Sequence, residues 1–345
     1  MLTSSNVSPF ILGFNGTELS ADTRKTLASI RPAGFILFSR NLENPEQTQA
    51  LCAELRALSP LNNPLIFIDQ EGGRVRRVKW EGVYQAPPAR TFGELFEQNP
   101  QKGLEAAQWS AYLTARDMQN LGITANCMPV ADLLIDGAHS IIGDRAYCAD
   151  PQAVSALCAA AIIGAMAGGV WPVIKHAPGH GRATADSHEE LPVVDADPDT
   201  LEQDLVPFKA NNQCPFVMTA HVQYPQWDRQ CATNSAKVMQ EVLREKCDMQ
   251  GAFLADDMFM QALEGPLENR INSALTAGCD LVICGSNNID GRFSAEMWQQ
   301  VMALEGRFEL SAESRTRLEN LPSLPQKFDV TPEEARKELE EAMAA

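Results

Sequence analysis

No run of apolar residues in this 345-residue chain approaches the ~20 needed to cross a bilayer. The first sixteen residues, MLTSSNVSPFILGFNG, carry no basic group, and their apolar stretch is broken by Pro9, Gly13 and Asn15. A cleavable signal peptide is therefore not expected. Positive charge is scarce: 28 Lys and Arg against 45 Asp and Glu give a net charge of −17. Such a surface repels phosphate backbones and anionic membranes, so neither nucleic acid nor a membrane is an expected partner. The nine cysteines form no Cys-x-x-Cys pair, and Cys158, Cys279 and Cys284 sit in apolar surroundings. Buried thiols in a reducing compartment are expected, with no structural zinc site and a cytoplasmic location.

What the chain has is the composition of a folded protein, 45% hydrophobic and 21% charged. Eight short apolar runs end abruptly in polar residues, at 11–16, 34–38, 65–69, 125–130, 172–177, 216–222, 252–257 and 279–285. Near-continuous apolarity predicts strands buried on both faces, as in a parallel sheet. Helical patterns lie between them. Asn44-Pro45 reads as cap and first residue before Leu51, Leu55 and Leu58; Asp197-Pro198 opens a helix with Leu201, Leu205 and Phe208 on one face. Ser235 opens another, with Met239, Val242 and Leu243 inward, and Thr331-Pro332-Glu333-Glu334 reads as a capping box for a last helix to about Ala344. Alternating strands and helices imply an α/β fold, and eight strands imply a closed (β/α)8 TIM barrel of about 250 residues. The expectation is one domain over 1–345, with a barrel core at about 10–300 and a helical tail at about 301–345. An open doubly wound sheet normally carries a Gly-rich fingerprint after its first strand, and Gly13-Phe14-Asn15-Gly16 is not one.

In a barrel the chemistry sits where strands end. Here those ends are polar: Asp69 with Gln70-Glu71-Gly72-Gly73-Arg74 after strand 3, Asp132 after strand 4, Lys175-His176 at strand 5, His221 at strand 6 and Asp256-Asp257 at strand 7. The two glycines are read as a sharp turn that frees Arg74, Arg76 and Arg77 for hydrogen bonding, since Asp69 and Glu71 argue against a bound anion. Three of the five histidines, His176, His180 and His188, fall within 13 residues. His176 and His180 have the spacing of metal ligands on a helix, but Pro178, Gly179 and Gly181 make a helix there improbable. Asp186 and His188 are two apart, so in an extended loop they point the same way. The carboxylate then holds one imidazole nitrogen and leaves the other to exchange a proton. Of the two aspartates at strand 7, one is expected to face the mouth, and Asp257 is expected to cap a helix. Met258, Phe259 and Met260 are read as packing.

In order along the chain stand Asp69-Gln70-Glu71-Gly72-Gly73-Arg74-Val75, Ile142-Gly143-Asp144-Arg145, Lys175-His176-Ala177-Pro178-Gly179-His180-Gly181, Asp186-Ser187-His188 and Asp256-Asp257-Met258. With Gly34 to Asn41, these motifs make residues 10–290 resemble the bacterial family 3 β-N-acetylglucosaminidases, in particular the single-domain cytoplasmic kind of cell-wall recycling. The resemblance implies a (β/α)8 barrel that removes terminal β-linked N-acetylglucosamine from anhydro-muropeptides with retention of configuration. A monomer acting on this small carbohydrate substrate, without cofactor or metal, is expected. By the same resemblance Asp256 is the nucleophile, and His188 paired with Asp186 is the general acid/base on a mobile loop at 178–191. Asp69, Arg77, Arg145, Lys175 and His176 hold the sugar. Ala177 and Ala255 depart from the family, which commonly has Phe and Ser there.

A retaining glycosidase usually employs two carboxylates, so a histidine acid is an exception. A neutral base repels an anionic nucleophile less than a carboxylate does, which admits phosphate as acceptor and hence a phosphorylase. A metal-dependent hydrolase with His176, His180, His221 and Asp256 as ligands is the alternative from another mechanistic class. A non-catalytic sugar sensor is a third.

Overall fold

The computed structural model describes residues 6–61, 63–285, 293–324, 328 and 330–344. Eight parallel strands close into a barrel in sequence order: β1 (Ser8–Leu12), β2 (Pro32–Leu37), β3 (Leu65–Ile68), β4 (Ala125–Asn126), β5 (Trp171–Ala177), β6 (Phe216–Thr219), β7 (Ala252–Ala255) and β8 (Leu281–Cys284). The ring shuts where Phe10, Ile11 and Leu12 pair with Val282, Ile283 and Cys284. Helices α1 (Ala21–Ile30), α2 (Pro45–Leu58), α3 (Ala89–Gln98), α4 (Pro100–Leu121), α5 (Pro151–Ala167) and α6 (Pro198–Ala210) cross between strands. They are followed by α7 (Leu267–Ala277), α8 (Ala295–Met302), α9 (Ala312–Glu319) and α10 (Pro332–Met343).

Successive strand residues face opposite ways, which sorts the apolar runs into two layers. Ile11, Leu65, Phe67, Val173, Phe216, Met218, Leu254 and Ile283 fill the barrel interior. Phe10, Leu12, Phe35, Ile66, Ile174, Val217 and Phe253 lie under the helices. This is why the runs lack alternation: both faces are dry. The tail closes the lower end. Leu318, Leu321 and Leu324 pack on the interior layer, and the Trp171 indole donates to the Pro322 carbonyl at 3.0 Å.

The expected caps at Asn44, Asp197 and Thr331 accept from Gln47, Thr200 and Glu334 backbone N–H groups. Other elements depart from expectation. The first strand starts earlier, because Pro9 lies where the β1–β2 ladder is irregular, between Ser8 and Ile11, so its missing donor is tolerated. The fourth strand is two residues long; Pro129 cannot donate and the ladder stops, with a single bridge from Val130 to Lys175 beyond it. The helix expected after Ser235 is Val238–Lys246, wound with wider i→i+5 bonds; Met239, Val242 and Leu243 face inward as expected. Asp257 caps no helix. Its carboxylate accepts from Phe259 N at 3.0 Å and Gly285 N at 2.9 Å, which ties the end of β7 to the end of β8.

Candidate active site

The upper mouth of the barrel holds a cleft. All eight site residues expected from the sequence are at it: Asp69, Arg77, Arg145, Lys175, His176, His188 and Asp256 line the cleft, and Asp186 stands behind His188. Its floor is apolar, with Ile36, Met218 and Ile283.

The wall from β3 is shaped by a turn. Gly72 and Gly73 adopt φ of 116° and 53°, a region L-residues avoid, and reverse the chain. The buried Gln70 side chain then accepts from Arg77 N at 2.8 Å and Val78 N at 3.0 Å and donates to Val78 O at 3.0 Å. The returning strand brings the Arg77 guanidinium to 3.2 Å from Asp69. Lys175, on β5, reaches Asp69 at 3.0 Å and Glu71 at 2.6 Å. Glu71 in turn receives Arg145 through two parallel bonds of 2.9 Å. The result is a ladder of alternating charges, Arg77, Asp69, Lys175, Glu71, Arg145, built from β5 and the segments that follow β3 and β4. Glu71, a neighbour of the turn in the sequence, here joins two of the three cations, Lys175 and Arg145.

Burial alone would neutralise these groups, and mutual attraction prevents it. Desolvation pushes Asp69 up, but Lys175 and Arg77 hold it well below the usual carboxylate range. Glu71 is treated likewise by Arg145 and Lys175 and falls to about 2. Lys175 is raised above its ordinary value by Glu71 and Asp69 in spite of burial.

Beside the ladder, His176 donates from Nδ1 to Asp132 at 2.7 Å, and its Nε2 accepts from Arg145 at 3.4 Å. Arginine can only donate, which fixes this tautomer. The second Asp132 oxygen takes the backbone N–H groups of His176 at 3.2 Å and His180 at 2.6 Å. Asp132 is fully buried and organises the start of the histidine loop.

Within that loop His188 Nδ1 donates to Asp186 at 2.7 Å, and the His188 N–H meets the same oxygen at 2.9 Å. The pair forms as expected but in a tight turn, since Glu189 N and Glu190 N also bond to Asp186 O. Burial would raise Asp186; the two His188 donors and the imidazole charge lower it instead. Ser187 meets His180 Nε2 at 3.2 Å, and its carbonyl accepts from Ala262 N at 3.1 Å. His180 is buried beside His176 and is driven down to about 4, so its ring is neutral near pH 7.

Asp256 directly follows β7, half-buried, with one oxygen on the Asp257 N–H at 2.8 Å. Burial pushes it up, while the imidazoles of His221, His176 and His188 and that N–H bring it below its ordinary value. It is thus an anion in the cleft that His188 also lines. Met260, read as packing, is buried yet also lines the cleft, as do Ile141 and Ile142. The metal alternative does not fit. His176 and His221 engage both ring nitrogens within the protein and His180 engages Nε2. Among the described residues no group of three or more His, Cys, Asp or Glu is placed to hold a metal ion.

Residues 7–319 match the glycosyl hydrolase family 3 N-terminal domain. The chain belongs to glycosyl hydrolase family 3. Within it, the chain is a β-N-acetylhexosaminidase. It is 40% identical over 284 residues to a β-hexosaminidase of Thiobacillus denitrificans, which covers 80% of this chain and 78% of that one. It is 36% identical over 324 residues to a β-hexosaminidase of Nitrosomonas eutropha, covering 91% and 89%. The fold superposes with a TM-score of 0.83 and 28% identity on NagZ from Neisseria gonorrhoeae in complex with N-trifluoroacetyl-D-glucosamine, covering 98% and 97%.

Proposed function

We propose that the chain is a retaining exo-β-N-acetylglucosaminidase that removes terminal β-linked N-acetylglucosamine from peptidoglycan fragments of the anhydro-muropeptide kind. The observation that carries the mechanism is the 2.7 Å His188–Asp186 bond beside the same cleft that Asp256 enters. Asp256 attacks the anomeric carbon as the glycosidic C–O bond breaks, and His188 Nε2 gives its proton to the departing oxygen. The imidazole, now neutral, takes a proton from water, which attacks the same carbon and releases Asp256. Two displacements retain configuration. Asp186 stays a carboxylate throughout and favours the charged ring. The ladder of Arg77, Asp69, Lys175 and Arg145, with His176, supplies fixed donors and acceptors to sugar hydroxyls. The reaction asks nothing of a metal or cofactor.

A cytoplasmic location accompanies this reading. The nine cysteines are all free and buried, as suits a reducing compartment, and no helix among the described residues is long and apolar enough to cross a membrane. The test is incubation with purified muropeptides, with mass analysis and stereochemical analysis of the released sugar. Free β-configured N-acetylglucosamine is expected. The sugar phosphate ester, formed in phosphate buffer, marks a phosphorylase instead, a variant the neutral base of His188 admits. Inversion, or no release, overturns the reading.

A further inference from the structure

His221 is 1% exposed, lies just beyond β6, and is used by neither displacement step. Its Nε2 is 3.2 Å from the carbonyl oxygen of Asp257. A carbonyl only accepts, so this nitrogen carries the hydrogen. Its Nδ1 is 2.9 Å from the Thr233 hydroxyl, which is itself 2.9 Å from the Thr219 hydroxyl and 3.0 Å from Ala220 O. Both threonines are fully buried. Thr233 has one hydrogen, which the Ala220 carbonyl also accepts, so the group that places a hydrogen on Nε2 is the Asp257 carbonyl, and the hydroxyl pair packs against the other ring nitrogen.

The bonded carbonyl belongs to the peptide unit between Asp257 and Met258. The other side of that unit, Met258 N, donates to Ile283 O at 2.8 Å. With the Asp257 carboxylate held by Gly285 N and Phe259 N, residue 257 is fixed from three directions. Its own N–H is the group that holds Asp256. We propose that His221 is a positioning residue for Asp256: its Nε2–H, given to the Asp257 carbonyl, fixes the backbone that aims the carboxylate at the anomeric carbon. The proposal rests on the reading of Asp256 as nucleophile.

A misplacement on the order of 1 Å costs about 100-fold in rate when attack must be in line. The experiment compares His221→Phe, which fills the space without a donor, with His221→Gln, whose amide nitrogen falls near Nε2, and His221→Asn, whose amide falls near Nδ1. A fluorinated N-acetylglucosaminyl donor with an activated leaving group reports the rate and place of covalent labelling. For His221→Phe, labelling is expected to slow about 100-fold with half-saturation within threefold. His221→Gln should recover to within about tenfold of the parent, and His221→Asn should not. Inhibitor affinity and Tm are measured on every variant. Equal labelling rates for Gln and Asn, or a Phe variant within twofold of the parent, overturn the proposal; the Gln–Asn pair keeps the test open if the Phe variant does not fold. Peptide mapping of the parent separates the two levels: a label elsewhere than Asp256 removes the nucleophile reading itself.

Discussion

The charge ladder at the cleft and the loop that carries His188 are held by different means. The ladder is built around β5: Lys175 lies in that strand, Asp69 directly follows β3, and Glu71 lies between two cations. The loop at 178–191 divides in two. Its first part is anchored: His180 N on Asp132, Gly179 O under the Tyr224 hydroxyl at 2.6 Å, Arg182 on Asp204 at 2.8 Å and Ala183 O on His139 N at 2.9 Å. Its second part, with Asp186 and His188, rests on Ser187 against His180 and Ala262, and on His188 O against Gln261 N at 3.4 Å. Charged bridges hold the part proposed to recognise the sugar, and neutral hydrogen bonds hold the part proposed to deliver a proton. Neutral bonds contribute about 1 kcal/mol each and buried charge pairs leave several kcal/mol of penalty when broken, so the second part is the one free to leave. The expectation is therefore that, of the loop expected to be mobile at 178–191, it is 184–191 that moves.

The largest effect separates the two proposed chemical groups. Asp256→Ala should lower turnover about 10⁴-fold or more on every substrate, including one with a good leaving group. His188→Ala should cost about 10³-fold where the departing oxygen needs a proton. On a dinitrophenyl glycoside it should spare the first step and slow the second, giving a burst of phenol that azide accelerates. Asp186→Asn should give a milder form of the same pattern. If His188→Ala abolishes the burst while Asp256→Ala turns over, the roles are wrong.

The ladder predicts an effect on stability. Glu71 is depressed from 4.5 to about 2, so its contribution is complete above the unfolded value and is lost as pH falls toward 2. The shift corresponds to about 3 kcal/mol. Glu71→Gln should therefore destabilise the protein by about that much at pH 7 and progressively less below pH 4.5, and should raise KM as Arg145 and Lys175 lose their common partner. Urea unfolding at pH 7, 4 and 3 measures it. An undiminished loss at pH 3 would count against an electrostatic role.

The ladder and the loop also differ in how far they could be read from the sequence. The strands were legible because apolar runs buried on both faces have no alternative use, and their polar ends located Asp69, Lys175, His176 and Asp256. The prolines at 9 and 129 moved strand bounds because their effect depends on which neighbour lacks a donor. Asp257 looked like a cap because its true partner, Gly285, is 28 residues away. Glu71 showed its charge but not its role, which needs Arg145 from 74 residues on. The His188–Asp186 pair was legible because it is local. The partner of His180 was not, since a spacing of seven through glycines specifies no direction.

That last contact gives the smallest and most discriminating prediction. The Ser187–His180 bond joins two neutral groups, because His180 lies at about 4. Removing it by Ser187→Ala forfeits about 1 kcal/mol, or roughly fivefold in the balance between docked and undocked loop. The backbone bond from Ala262 to Ser187 remains, so docking is weakened and not abolished. If the segment serves to bring His188 to the leaving group, the variant should lose about fivefold in kcat/KM on an alkyl glycoside and almost nothing on the dinitrophenyl glycoside. The loss should be the same from pH 6 to pH 8, because His180 is uncharged across that range. In hydrogen exchange, amides at 184–191 should open more readily than in the parent, while those at 179–183 keep their protection. An equal loss on both substrates would mean that the segment shapes the sugar site itself, and the division between recognising and delivering parts would fail.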